Sequence, residues 1–373
     1  MNIAGDIDNE LIYGDKKKRM VVVGGGITGA YTAKALEEQC LYTEVTLIDQ
    51  KGYVEMPWTR RRCMVEPGFA EMCILLHEEY LKSTKIVIGT AASVTDGEVI
   101  LENRESVSYD YLVIATGSTF EGPTTREGRI QQYEADCKTI RNAGTILIIG
   151  GGPAGLELAG ELSVDFPQKN LIIVHGGVRL IDFLGLKASK KALEWLNKRG
   201  VNVYFEERIT EDGLPGPEDE GDGLYTMSSG KTVTADCHFL CTGKKINSSW
   251  LKGTAFEDSL DERGFLKVDR SLMLEGHPNV FAVGYITNMK EMRQGLLAQK
   301  HAEVVAENIR KLSKGSNKII TYKPGPPIGM VSLGRSLAIA QMPWGTMLGR
   351  LPGMLKSKDL YVGKTRKALG FKS

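Results

Sequence analysis

Apolar residues along the chain fall in short unbroken runs separated by amphipathic stretches. This is the pattern of a parallel sheet covered on both faces, not of a half-exposed antiparallel one. Met20–Val23 is the first such run, and Val21, Val22 and Val23 show no polar alternation. Ala33, Leu36 and Cys40 then recur at helical intervals, predicting a helix over Ala30–Gln39, and Glu44–Asp49 returns as a second strand. The same reading predicts strands at Lys85–Val94, Val99–Leu101, Tyr109–Gly117, Leu171–Val174, Val201–Phe205, Lys231–Gly243 and Asn279–Gly284, and another opening Thr145–Gly155. Helices are predicted at Lys187–Lys198 and Gly295–Leu312, and Glu211–Gly223, rich in acids and glycines, reads as an exposed loop.

The chemistry sits where strands end. Gly24, Gly26 and Gly29, with Ile27 and Thr28 between them, have the spacing G-x-G-x-x-G directly after the first strand. The first glycine permits a tight turn, the second lets backbone amides approach a pyrophosphate, and the third lets helix pack on strand. Asp49 ends the second strand 20 residues after Gly29, placed to accept hydrogen bonds from ribose hydroxyls. The pattern repeats 126 residues later at Gly150, Gly152 and Gly155, enclosing Pro153 and Ala154. There the second strand ends in His175 rather than an acid, which leaves NADPH open beside NADH. Two further strands end in small-residue turns, Ala115-Thr116-Gly117 and Cys241-Thr242-Gly243, where an open α/β sheet keeps its ligand crevice. The fold class that follows is α/β with two Rossmann-like dinucleotide-binding domains, the second interrupting the first, and a short C-terminal region.

Composition adds limits. The 373 residues, 42% apolar and 25% charged, suit a soluble globular chain of two or three domains. A net charge of +1 makes no case for nucleic acid. Six cysteines without a C-x-x-C pair read as free thiols in a reducing compartment. Cys237 and Cys241 share a predicted strand, and nine residues separate Cys63 from Cys73, so a redox dithiol is not expected. No spacing asks for a metal. No 18-residue apolar run is present, residues 1–15 contain no Arg, and Asn2 stands where myristoylation needs Gly. The expected location is cytoplasmic, with peripheral membrane contact at most. Charge is uneven, however: residues 325–373 hold eight Lys/Arg against one Asp, a local +7. Mixed with Met330, Trp344, Leu351 and other apolar residues, that charge suits a surface resting on anionic lipid.

These motifs together resemble the two-dinucleotide-binding-domain flavoproteins. Within them the chain is most similar to the apoptosis-inducing-factor homologues also called ferroptosis suppressor proteins, relatives of type II NADH dehydrogenases. The segments that carry the likeness are YVEMPWTRRRCMVEP, YDYLVIATG, GGGPAGLELAGEL, ADCHFLCTG, QGLLAQKHA and LKSKDLYVGKTRK. The resemblance implies an FAD-dependent NAD(P)H:quinone oxidoreductase. Its FAD-binding domain would span 19–120 and 246–324, its NAD(P)H-binding domain 121–245, and an acceptor- and membrane-facing region 325–373, after an extension at 1–18. By the same likeness Pro57, Trp58 and Arg62 line the flavin, Glu157 meets the nicotinamide end, and Lys356 and Tyr361 lie close to the flavin beside a quinone. A homo-oligomer is left open. One departure stands out: the family's Gly-Asp is Gly284-Tyr285 here, and that aspartate normally accepts hydrogen bonds from the flavin ribityl chain. Its loss favours a competing reading, a flavin-poor homologue acting as a nucleotide-responsive binding protein.

Overall fold

The structure, a computed structural model, describes residues 17–40, 43–210, 214, 223–292, 295–326 and 328–372. The extension 1–16, most of the acidic loop 211–223 and Arg293 lie outside the described residues. In chain order the main elements are β1 (Lys18–Val23), α1 (Ile27–Gln39), β2 (Thr43–Asp49), β3 (Lys85–Ile88) and β4 (Tyr111–Ile114). Next come α2 (Arg126–Asn142), β5 (Thr145–Ile149), α3 (Pro153–Asp165), β6 (Asn170–His175), α4 (Leu186–Asn197), β7 (Asn202–Phe205) and β8 (Cys237–Leu240). The chain then returns through β9 (Met273–Leu274), β10 (His277–Ala282) and α5 (Gly295–Ser313). It closes with β11 (Gly329–Leu333), β12 (Leu337–Met342), β13 (Gly345–Gly349), α6 (Arg350–Lys356) and α7 (Val362–Ala368).

Two parallel sheets follow from the two β-branched runs. The first has the order β9-β10-β4-β1-β2-β3, and only its edge strand β9 is antiparallel. The second has the order β7-β6-β5-β8, all parallel. Val21, Val22 and Val23, like Ile146, Leu147 and Ile148, are buried, as strands covered on both faces require. The chain leaves the first unit and re-enters it through two segments that pair with each other. Asn247 N–H donates to the Gly117 carbonyl at 3.0 Å, and Thr119 N–H to that of Lys245 at 2.9 Å.

Two predicted strands are broken in the structure. Lys85–Val94 divides at Gly89: β3 joins the parallel sheet, whereas Ala91–Val94 enters an antiparallel meander with Glu98–Leu101 and Ser106–Ser108. Lys231–Gly243 divides at Asp236, whose Oδ2 accepts the N–H groups of Gly144 and Thr145 at 2.6 and 2.8 Å. That bond aligns β8 with β5, while Thr232–Ala235 pairs with Gly223–Thr226. The C-terminal region forms an antiparallel β11-β12-β13 sheet that its composition did not disclose.

A buried seam joins the parts. Helix α3 carries Glu157 and Glu161 one turn apart, both buried. Glu161 accepts from Arg62 Nε at 2.8 Å, and Arg62 also donates to the carbonyls of Ser357 (3.1 Å) and Gly334 (3.4 Å). Glu157 takes Lys356 Nζ at 2.5 Å. Removing one partner of such a pair leaves an uncompensated buried charge and costs about 3–5 kcal/mol, whereas replacing both with apolar side chains is near neutral. Glu161→Ala is therefore expected to lower the urea unfolding midpoint markedly, and Arg62→Met with Glu161→Leu to recover most of the loss. An unchanged midpoint in Glu161→Ala would show that the seam carries no such energy.

Candidate dinucleotide and acceptor cleft

The two glycine turns are built alike. Gly24 has φ +101° and Gly150 φ +116°, conformations that side-chain-bearing residues rarely adopt. Each donates its N–H to the neighbouring strand at 2.8 Å, Gly24 to Ile48 and Gly150 to Val174. A Cβ on Gly29 would collide with the Gly24 carbonyl, and one on Gly155 with that of Gly150, so both helices pack against their own turn. The middle glycines differ. A Cβ on Gly26 or Gly152 would meet nothing within 4 Å, and each caps its helix with no side-chain hydrogen bond. Free amides, a positive helix end and open space fit a dinucleotide pyrophosphate at each turn.

A single cleft of about 1030 Å³ runs from the first turn to the C-terminal region. Of the residues expected from sequence, Gly24, Gly26, Ile27, Thr28, Asp49, Ala115, Thr116, Gly117, Pro153, Ala154, Glu157, Thr242, Gly284, Tyr285, Lys356 and Tyr361 line it. Pro57 and Trp58 line it too. Trp58 donates to the Leu360 carbonyl at 2.6 Å and packs on Gly295 at the start of α5. Gly29 and Gly155 serve packing, and Gly150, Gly152 and Gly243 stand outside this cleft.

Asp49 Oδ2 is held by Lys51 Nζ at 2.6 Å and His77 Nε2 at 3.1 Å, and His77 Nδ1 meets the Tyr80 hydroxyl at 2.6 Å. Burial opposes the Asp49 charge, but Lys51 and His77 outweigh it and keep the carboxyl below its usual range. Both contacts use Oδ2, which leaves Oδ1 for a ribose hydroxyl among the described residues.

Two expectations are corrected. Arg62 does not line the cleft: it is 3% exposed and committed to Glu161, while Arg60 and Arg61, two positions and one position earlier on the same helical turn, line it instead. His175 is also engaged within the protein, its Nδ1 accepting from Gly151 N–H at 3.1 Å and its Nε2 facing the Arg179 carbonyl at 3.0 Å. It braces the second turn. Sequence reasoning did not single out Lys244 or Glu55, which line the same wall as Arg60 and Arg61. Burial, reinforced by the positive charge of Arg60, lowers the Lys244 ammonium to about 8. Cys63 and Cys73 bring their thiols together, and that contact, reinforced by burial, pushes the Cys63 thiol far up. Both are buried, and no cysteine lines the cleft.

Residues 18–302 match the family described as pyridine nucleotide-disulphide oxidoreductase. The chain belongs to this family. Among curated relatives, this oxidoreductase is 33% identical over 369 residues to ferroptosis suppressor protein 1 of Xenopus tropicalis, covering 95% of this chain and 97% of the relative. It is 30% identical to apoptosis-inducing factor homolog A of Dictyostelium discoideum, covering 94% and 91%. The fold is shared with the sulfide:quinone oxidoreductase of Aquifex aeolicus (TM-score 0.71, 18% identity, 94% and 92% covered). It is shared also with NDH2 of Plasmodium falciparum in complex with NADH (TM-score 0.73, 14% identity, 95% and 97% covered). The oxidoreductase is FAD-dependent and uses NAD(P)H. Gly26, Thr28 and Asp49 would hold the FAD, which would supply hydride acceptance from NAD(P)H and electron delivery to an acceptor, while the chain's own residues bind and orient.

The open space at the middle glycines separates folding from binding. Gly26→Ala and Gly152→Ala are expected to keep the parent melting temperature. Gly26→Ala should weaken FAD binding, and Gly152→Ala should weaken NAD(P)H binding with FAD retained, each by roughly tenfold to a hundredfold if one charge-assisted bond is lost. Equal nucleotide affinity in the variants, measured by fluorescence titration, would mean the pyrophosphates lie elsewhere.

Proposed function

We propose that the chain is an NAD(P)H:quinone oxidoreductase whose acceptor binds at the C-terminal end of the cleft. The observation that carries this reading is the buried Lys356–Glu157 pair, which lines the cleft beside Tyr361. Lys356 Nζ donates to Glu157 Oε1 at 2.5 Å and to the Met330 carbonyl at 2.8 Å. An ammonium has three protons, so among the described residues one remains for a carbonyl oxygen that gains charge on reduction. Tyr361 offers a ring for a planar acceptor. Leu360 and Tyr361 both hold positive φ, +49° and +58°, a strain of order 1–3 kcal/mol each that the surrounding packing must sustain. NADH and NADPH both serve as reductant in this reading, since His175 offers no carboxylate against a 2′-phosphate and the Arg208 guanidinium lies beside Gly176.

Lys356→Met combined with Glu157→Gln avoids a stranded charge. It is expected to slow electron transfer to a soluble quinone by roughly tenfold to a hundredfold, with flavin reduction by NADH or NADPH in stopped flow affected less. Quinone turnover equal to the parent, or no turnover with quinones while ferricyanide is reduced, would sink the reading.

We also infer a membrane-resting face, extending the expectation for 325–373. Trp344 is 78% exposed, and Met347, Leu351, Met354 and Leu355 are exposed with it. The face includes Phe183 and Leu186 from outside the C-terminal region, and Phe183 also lines the cleft. Val331, Leu333 and Leu360 of the same region are buried and do not contribute to that face, and Lys356 is buried too. Exposed Lys358, Lys364 and Arg350 supply cations for anionic headgroups, each contributing about 1 kcal/mol. Among the described residues no helix is long and apolar enough to cross a membrane. In liposome flotation, binding should rise with anionic lipid, fall with salt, and drop sharply in Trp344→Ser with Leu351→Ser. Indifference to both lipid charge and these substitutions would remove the membrane face.

A further inference from the structure

The turn after β10 carries an arrangement that the cleft's other residues leave without a role. Gly284 (φ +76°) packs on Thr28 of the first nucleotide turn, so this wall faces the same ligand. Its N–H donates to His301 Nδ1 at 3.1 Å. Because Nδ1 accepts, the neutral ring carries its proton on Nε2. That Nε2 lies 2.9 Å from Glu291 Oε1, in contact with the carboxylate but off the line of a straight hydrogen bond, although the ring is only 1% exposed. A buried donor left in this state calls for an acceptor. The Tyr322 hydroxyl fixes the carboxylate from the other side, donating to Glu291 Oε2 at 2.5 Å. Burial opposes the Glu291 charge, but His301 and Tyr322 outweigh it and keep the carboxyl below its usual range. Glu291 and His301 both line the cleft.

A fixed N–H donor beside a fixed anionic acceptor matches a hydroxyl, which accepts from one and donates to the other. Of the parts of FAD, the ribityl chain is the polyol. We propose that Glu291 and His301 form the ribityl-binding pair of this protein, supplying from the segment before α5 and from α5 itself a carboxylate anchor in place of the one that position 285 lacks. The inference rests on the FAD assignment.

The test titrates FAD and, separately, ADP into apoprotein by fluorescence, for the parent, Glu291→Gln, and Glu291→Gln with Tyr285→Asp. Glu291→Gln keeps an acceptor for Tyr322 and removes only the charge. FAD should bind roughly tenfold to a hundredfold more weakly in Glu291→Gln, with ADP affinity unchanged because the pyrophosphate turn is intact. Aspartate at 285 should restore part of the loss. Unchanged FAD affinity in Glu291→Gln, or equal losses for FAD and ADP, overturns the pair's role. A parent that binds ADP but not FAD overturns the cofactor assignment and this role with it.

Discussion

Glu157 and Glu161 stand one helical turn apart on α3, both out of water, and each is neutralised by a cation from another part of the chain. A carboxylate stranded in a dry interior is far costlier than any single apolar contact can offset. The helix is therefore covered only when Arg62 of the first unit and Lys356 of the C-terminal region arrive together. The C-terminal wall of the cleft depends on that assembly. Trp58, Met330 and Tyr361 reach one wall because the seam holds their segments against α3, and Arg62 extends its grip by donating to carbonyls at Gly334 and Ser357.

The same seam gives Glu157 a double character. It neutralises Lys356 and lies at the cleft surface, so the group that closes the assembly also borders the proposed acceptor end of the cleft. Lys356 is oriented by the Met330 carbonyl as well as by Glu157, which fixes where its remaining proton can point. In the proposed acceptor role, orientation of this kind would let one ammonium act without reorganising during the reaction.

What the sequence disclosed was local. Glycine spacings, β-branched runs and strand-terminal acids declare themselves within a few residues, and both turns formed as their spacing predicts, down to matching collisions at Gly29 and Gly155. The long-range pairings were hidden. Arg62 and Glu161 are 99 residues apart, Lys356 and Glu157 199, and no periodicity marks such partners. The sequence points Arg62 at the flavin, whereas Arg60 and Arg61 are the ones that line the cleft, because a helical segment turns adjacent residues to different faces. His175 was judged by what it is not, an acid, while its work is to brace Gly151. Tyr285 marks a missing carboxylate, but Glu291 stands in no motif, and nothing within a few residues of either position marks it as the partner of His301. The one available signal was QGLLAQKHA itself, where a histidine sits on the apolar face of a helix beside a glutamate upstream.

The two glycine turns, alike in backbone, differ in enclosure. The first contributes Gly24, Gly26, Ile27, Thr28 and Asp49 to the cleft wall, whereas the second contributes only Pro153, Ala154 and Glu157 beyond its buried packing, with its strand end turned to internal duty. On the proposed assignment, a nucleotide at the first turn would be walled in by more of the cleft than one at the second. The duplication would then yield two residence times from one architecture, long for a resident cofactor at the first turn and short for a diffusing reductant at the second.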